Sequence, residues 1–485
     1  MSRFPELSHE LIPYLVSSVY VLISLIASGH VILTKREPRA AVSWIGLIWL
    51  SPLVGIALYT LLGINRIHRR SRLQGALKGP VGSLSQGTGC SESLLRTLPI
   101  DKGHLSDLAR LLGELTGRPL LTGNDVKPLA DGDRAYPVML AAIEEATLSI
   151  SLGTYIFNND RVGLAFVEAL GRAVDRGVAV RVLVDDLGSR YDWPSILGPL
   201  RQAGVPAAAF LPTLAPGWFP YLNLRNHRKL LVVDGQVGFT GGMNINESYS
   251  ISLRPIRPTH DLHFRIRGPV VAELQQIFAD DWAFCTGESL VGPNWFPPLD
   301  PAGSVLSRGI PDGPDNDMDH LLIAILGALA CARSSVSIVT PYFLPELVLI
   351  SALTIAAMRG VRVDIILPRE NNQPVVKWAS TGILAQVLER GCRVWYSPPP
   401  FDHSKLMIVD EVWVFFGSGN WDPRSFRLNF EFNLECYSSQ LAASLEKLVR
   451  AKIRQAEPIT LESINRRSMP VKLRDGIARL FSPCL

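Results

Sequence analysis

Cysteine is scarce in this chain. The six present, Cys90, Cys285, Cys331, Cys392, Cys436 and Cys484, form no CxxC pair and no regular spacing. That excludes a disulfide framework and a zinc knuckle, and leaves buried or bystander thiols. Charge is scarce too. Asp, Glu, Lys and Arg make up only 19% of the residues, and a net charge of +4 is too small to coat nucleic acid. Metal-ligand clusters are missing as well. His260 and His263 are close in sequence, but in an alternating strand they need not share a face, so they read as structural or substrate-side groups and no metal is expected.

What remains is a long, apolar chain. Its 485 residues leave room for two or three domains. Two apolar runs open it, residues 11–33 and 40–63, the second without a charge. Each exceeds the roughly 20 residues that cross a bilayer as a helix. Only Lys35, Arg36, Glu37, Pro38 and Arg39 lie between them, so the pair is expected to form a transmembrane helical hairpin. A cleavable signal peptide fits less well, because Arg3 is offset by Glu6 and Glu10 and a second run follows at once. For a hairpin, Arg3, Arg66, Arg69, Arg70 and Arg72 share one face against Lys35, Arg36 and Arg39 on the other. Five against three favours cytoplasmic catalytic domains. The basic cluster at residues 66–72 would sit at headgroup level, and residues 75–93, rich in Gly, Ser and Leu, read as a linker.

Beyond the linker the chain repeats itself. A β-branched run from Thr147, a helical stretch from Gly163 to Arg176 and a second run from Val178 reappear as a run from Ser335, a helical stretch ending at Arg359 and a run from Val361, with Arg-Gly-Val leading into the later run in both copies. Strand, helix, strand twice over is an α/β repeat. Each copy then carries the same polar signature. His227-x-Lys229-x-x-x-x-Asp234 is followed by Gly241, Gly242 and Asn244. His403-x-Lys405-x-x-x-x-Asp410 is followed by Gly417, Ser418 and Asn420. One HxKxxxxD arises by chance in roughly one of a few tens of such chains; two with matching Gly and Asn do not.

The spacing has a chemical reason. Residues two apart in extended chain face the same way, so His227 projects with Lys229, and His403 with Lys405. Brought face to face, the copies give two imidazoles and two ammonium groups around one pocket, which suits a phosphodiester. The lysines, with Asn244 and Asn420, hold phosphoryl oxygens. One histidine attacks phosphorus while the other protonates the departing alcohol. A nucleophilic imidazole needs a partner to fix its tautomer. Asp261 is expected to orient His227, and Glu431 to orient His403, each from its own copy. Asp234 and Asp410 end apolar runs, where a turn-stabilising role is expected from position alone.

The doubled motif is that of the phospholipase D superfamily, and the resemblance runs over nearly the whole chain. Arg39, Trp44, Pro52, Gly55, Tyr59 and Gly63, the segment from Tyr155 to Asp160, Thr340-Pro-Tyr342-Phe, Asp422-Pro-Arg424-Ser425-Phe and the closing Ser482-Pro-Cys-Leu485 resemble bacterial cardiolipin synthases. The resemblance implies an inner-membrane, multi-pass phosphatidyltransferase that joins two phosphatidylglycerol molecules, releases glycerol, passes through a phosphatidyl-enzyme and uses no metal or other cofactor. It implies His227, Lys229, Asp234, His403, Lys405 and Asp410 as the active-site set, with His227 the nucleophile. The expected plan is a hairpin over 1–65, a basic juxtamembrane segment and linker over 66–120, and two pseudo-symmetric phospholipase D-like domains, 121–310 and 311–485, with mixed β-sheets flanked by helices.

Rival functions separate on other features. A hydrolytic phospholipase D making phosphatidic acid would use the same residues. A nuclease would need a basic, aromatic-lined groove and has no use for an anchor, so no nucleic-acid partner is expected. A catalytically dead membrane scaffold would not keep both His–Lys pairs. The apolar stretch at residues 218–224 is a candidate acyl entrance, the membrane and its phospholipids are the expected partners, and oligomeric state is open.

Overall fold

The structure is a computed structural model that describes residues 4–35, 38–63, 103–212, 223–314 and 317–482. The basic cluster at 66–72, the linker at 75–93 and most of the proposed acyl entrance lie outside the described residues. The chain forms two compact units, residues 1–70 with 213–223, and residues 71–212 with 224–485.

In the first unit, α1 (Phe4–Thr34) contains the 21-residue stretch Tyr14–Thr34, long and apolar enough to cross a membrane. Among the described residues the second apolar run does not form one helix of that length, so the expected hairpin of two spans is not shown. Helix α2 (Pro38–Leu50) stops at a bend on Ser51, and α3 (Pro52–Leu58) starts anew with a short π-helical turn, Tyr59–Gly63, behind it. Pro52 is the physical cause. It has no N–H to continue the ladder and clashes with the carbonyl four residues back, yet it suits the first turn of a new helix. The bend folds α3 against α2 so closely that a Cβ at Gly55 would lie 2.4 Å from the Leu47 carbonyl oxygen. The run therefore ends where it began. Tyr59 Oη lies 2.7 Å from His30 Nδ1, and Lys35 Nζ donates to the Gly63 carbonyl at 2.6 Å, both at the C-terminal end of α1.

The second unit is built on one 16-stranded sheet. Its first half holds β1 (Leu121–Ala130), β2 (Ser149–Thr154), β3 (Ala179–Asp185), β4 (Ala207–Phe210), β5 (Arg225–Asn226), β6 (Leu230–Val233), β7 (Val237–Gly241), β8 (Thr259–His260) and β9 (Leu262–Arg267). Its second half holds β10 (Val305–Asp312), β11 (Ser335–Val339), β12 (Arg362–Pro368), β13 (Arg393–Ser397), β14 (Phe401–Asp402), β15 (Leu406–Val409), β16 (Trp413–Gly417), β17 (Asn429–Tyr437) and β18 (Glu457–Ile459). The main order is β4-β3-β2-β6-β7-β9-β1-β10-β17-β16-β15-β11-β12-β13-β18. From the β1–β10 junction outward, equivalent strands follow in the same order on each side. The inner runs, parallel β2–β3 and β11–β12, are almost wholly apolar or buried, as strands covered on both faces must be.

Each half keeps its own core, one around Phe166, Leu170 and Val182, the other around Leu353, Ile365 and Trp413. The segment expected to be linker contributes to the second. Its helix Leu105–Thr116 buries Leu105, Leu108 and Leu112 there.

Two very short pairings cross between the halves. Strand β5 lies parallel to β17, with Asn226 opposite Phe430, and β8 lies parallel to β14, with His260 opposite Asp402. These four short segments decide the geometry of the site.

Candidate active site

His227 follows β5 and His403 follows β14, so each histidine enters beside a strand from the other half. The backbone N–H of His227 donates to Phe430 O at 2.9 Å, and that of His403 to His260 O at 2.7 Å. The next residue along each partner strand is an acid. His227 Nδ1 meets Glu431 Oε2 at 2.9 Å, and His403 Nδ1 meets Asp261 Oδ2 at 2.8 Å. The expected acids are the ones found, but the expected pairing is wrong. Asp261 serves His403 and Glu431 serves His227, because the β5–β17 and β8–β14 ladders exchange partners across the halves.

Lys229 and Lys405 are buried beside their histidines, each donating Nζ to the histidine carbonyl at 2.6 Å. Both pairs share one electrostatic neighbourhood. Burial pushes the Lys229 ammonium down to about 7, with Lys405 adding to the shift and Glu431 opposing it. Burial likewise lowers Lys405 to about 8, opposed by Asp261 and Glu431. Burial takes His227 down to about 4 and His403 well below the usual imidazole range, with both lysines reinforcing each shift. Burial thus disfavours the charged forms of all four groups, and an anionic phosphodiester beside them would favour the charged lysines.

The two dyads are not equivalent. Glu431 also accepts from Ser418 Oγ at 2.5 Å, Ser425 Oγ at 2.8 Å and Asn429 Nδ2 at 3.2 Å. Although burial opposes it, His227, Lys229 and the Ser418 hydroxyl hold the Glu431 carboxyl below its ordinary range. Among the described residues Asp261 has only its own dyad and the Leu262 N–H, at 2.7 Å. Burial therefore pushes it up to about 8, with Lys405 pulling the other way. Gly242, which stands where the second copy has Ser418, is required by the same geometry. A Cβ there would lie 2.4 Å from Asp261 Oδ1.

The other expected site residues divide. Asn244 accepts the Ile156 N–H at 3.1 Å and places Nδ2 3.4 Å from Tyr249 Oη, while Asn420 has a buried Oδ1 without a hydrogen-bond partner among the described residues. Asp234 and Asp410 sit at the far ends of β6 and β15, in left-handed conformation at φ 51° and 53°. Asp234 accepts the N–H groups of Thr147, Leu148 and Ser149. Asp410 accepts those of Arg333, Ser334 and Ser335, and His104 Nε2 at 2.6 Å. Six residues lie between each histidine and its Asp, roughly 20 Å of extended chain. The two aspartates fasten the strand hairpins to β2 and β11. His260 pairs with Asp131 at 2.9 Å, whereas His263 is buried within β9.

Aromatic rings that sequence reasoning did not assign complete the walls. Tyr155 stands edge-on to His227 at 5.1 Å and under Lys229, while Tyr249, Tyr342 and Phe401 surround His403. Tyr155 and Tyr342 close equivalent strand ends, a signal present in the repeat. Tyr249 has no counterpart that the repeat would reveal.

Two histidines, each backed by a carboxylate from the opposite half of a doubled sheet, mark the phospholipase D-like class. Its model described as "Cardiolipin synthase, PLD-like domain" matches residues 139–282 and 325–452. A Staphylococcus epidermidis protein named cardiolipin synthase 2 is 30% identical, covering 99% of both chains, and a Geobacillus cardiolipin synthase is 32% identical over 97% of this chain and 93% of its own. The phosphatidylserine synthase of Haemophilus influenzae shares the fold, at a TM-score of 0.60 and 16% identity, covering 78% of this chain and all of that one. The chain belongs to the cardiolipin synthase family.

Proposed function

We propose that the chain transfers a phosphatidyl group from one phosphatidylglycerol to another, giving cardiolipin and glycerol. The observation that carries this reading is the pair of crossed, unequal His–carboxylate dyads between two buried lysines. Glu431 stays ionised and accepts Nδ1–H of His227, which leaves the Nε2 lone pair free to attack phosphorus. The P–O bond to glycerol breaks as the P–N bond forms. The His403–Asp261 dyad, whose acid holds a proton near neutrality, passes one to the departing glycerol oxygen. The headgroup hydroxyl of a second phosphatidylglycerol then returns its proton to His403 and attacks phosphorus, releasing His227. Lys229 and Lys405 offset charge on the phosphoryl oxygens, where a single such donor is worth about 10²–10³ in rate; Asn244 and Asn420 border the same space. The equal strand orders support two pseudo-symmetric halves around this site.

The anchor fits this reading, since both substrates live in a bilayer. The contacts of Lys35 with Gly63 and of His30 with Tyr59 support a second apolar run that ends on the side where it begins. With one span, positive-inside counting of the basic residues in the sequence favours the cytoplasmic side of the cell membrane for the chain after it.

The test is reconstitution in phosphatidylglycerol vesicles with chelator present, following cardiolipin, glycerol and phosphatidic acid. Cardiolipin and glycerol appearing in equal amounts, and lost in both His227→Ala and His403→Ala, are expected. Phosphatidic acid alone would make the protein a hydrolase.

A further inference from the structure

The last helix of the second unit, Met469–Leu480, has a face that nothing among the described residues covers. Met469, Leu473, Ile477 and Leu480 recur at helical spacing and are 74%, 65%, 48% and 75% exposed, and Phe481 extends the row. At 100° per residue they fall within about one third of the helix circumference. The opposite side is docked. Ala478 and Asp475 are buried there, and a Cβ on Gly382 of the helix Pro374–Leu388 would lie 3.1 Å from Asp475 O. The helix is thus held firmly with its apolar stripe outward, an arrangement soluble surfaces rarely keep without a partner.

The borders of the stripe identify that partner. Arg474 flanks one side, and Lys472 and Arg479 the other. The only acid in the helix, Asp475, faces inward, its side chain 1% exposed and paired with Arg467 and Arg474. Arg474 also lies over the Trp378 ring at 4.5 Å, which fixes its stem along the stripe's edge. An apolar row bordered on both sides by cations matches an anionic lipid surface, where the row enters the acyl boundary and the basic heads remain among phosphates. A second copy of the chain would set these like charges against each other.

We propose that the helix Met469–Leu480 is an interfacial membrane contact that seats the catalytic unit on anionic lipid, separately from the N-terminal anchor. The inference rests on the lipid-processing reading of the site and adds to it a surface that presses the unit onto its substrate layer.

The experiment uses the full chain with its six cysteines replaced by serine and a nitroxide at Leu473→Cys, in vesicles of phosphatidylglycerol with phosphatidylcholine. Contact with a water-soluble nickel complex is expected to fall several-fold from its value in detergent, while contact with oxygen rises. A label at Lys447→Cys, exposed on the helix Ser439–Gln455, should stay accessible to nickel. Hydrogen exchange of the unaltered chain should show matching protection of residues 469–481, which guards against damage by the cysteine replacements. A Leu473 label as open to nickel in vesicles as in detergent would overturn the proposal. So would equal immersion in phosphatidylcholine alone, or shielding in detergent that grows with protein concentration, the mark of a self-association surface. The readout is depth and not turnover, so a buried label without cardiolipin synthesis would sink the functional reading alone.

Discussion

At the residue scale, the chemistry turns on one methylene and one hydroxyl. Glu431 reaches Ser418, Ser425 and Asn429 as well as His227, whereas Asp261 is shorter, has fewer donors and leaves room only for Gly242. The acid should therefore be the member that titrates near neutrality. The rate should fall as pH rises through about 8, where Asp261 loses its proton, and should fall in acid as His227, at about 4, gains one. A kcat profile of Asp261→Asn checks this, since the alkaline limb should leave pH 8. A limb that stayed would belong to Lys405, also near 8. Glu431→Gln removes the charge that balances a developing imidazolium and should cost about 10²–10⁴ in kcat, within the span of acid–base effects. Gly242→Ser should lower stability by about 1–3 kcal/mol, the usual cost of overpacking, and displace Asp261 from His403; thermal melts with kinetics would show both.

At the scale of elements, what could be read from the sequence depended on whether a pattern was local. The His-x-Lys spacing and the apolar runs behind it are local, so both motifs and the strands β6 and β15 were legible. The exchange of carboxylates was not, because β5, β8 and β14 are two-residue ladders with no period of their own and their partners lie far along the chain. The break in the second apolar run did have a signal, Pro52 in the middle of a helical stretch, which run length alone overrode. The helix Leu105–Thr116 was masked by its position after a Gly- and Ser-rich segment. The two motif aspartates belong to this scale as well. Hydrogen bonds to three successive N–H groups and to Ser334 hold the Asp410 carboxyl down at about 2. A depressed carboxyl adds stability above its unfolded value near 4, and that stability is lost as pH falls toward 2. Asp410→Asn should therefore lower Tm at neutral pH, by less and less as pH falls, while folded enzyme keeps its turnover number. A loss of kcat at full stability would return Asp410 to the chemistry.

At the scale of the whole molecule, the doubled motif goes with a strand order that is the same on each side of the β1–β10 junction. The membrane arrangement was only half visible, since the two apolar runs have the length of spans while the contacts of Lys35 with Gly63 and His30 with Tyr59 close the second into a loop. Thiol reagents applied to sealed vesicles should reach cysteines placed at Ser2 and Ser71 from opposite faces; access from the same face would restore the two-span hairpin. The central claim, that the halves are structurally alike but chemically unequal, is tested most directly by trapping the covalent intermediate. A phosphatidyl p-nitrophenyl ester has a leaving group that needs no proton, so His403→Ala should still release one equivalent of nitrophenolate in a burst and hold the phosphatidyl group on His227. The same burst in His227→Ala, with the label on His403, would contradict the account.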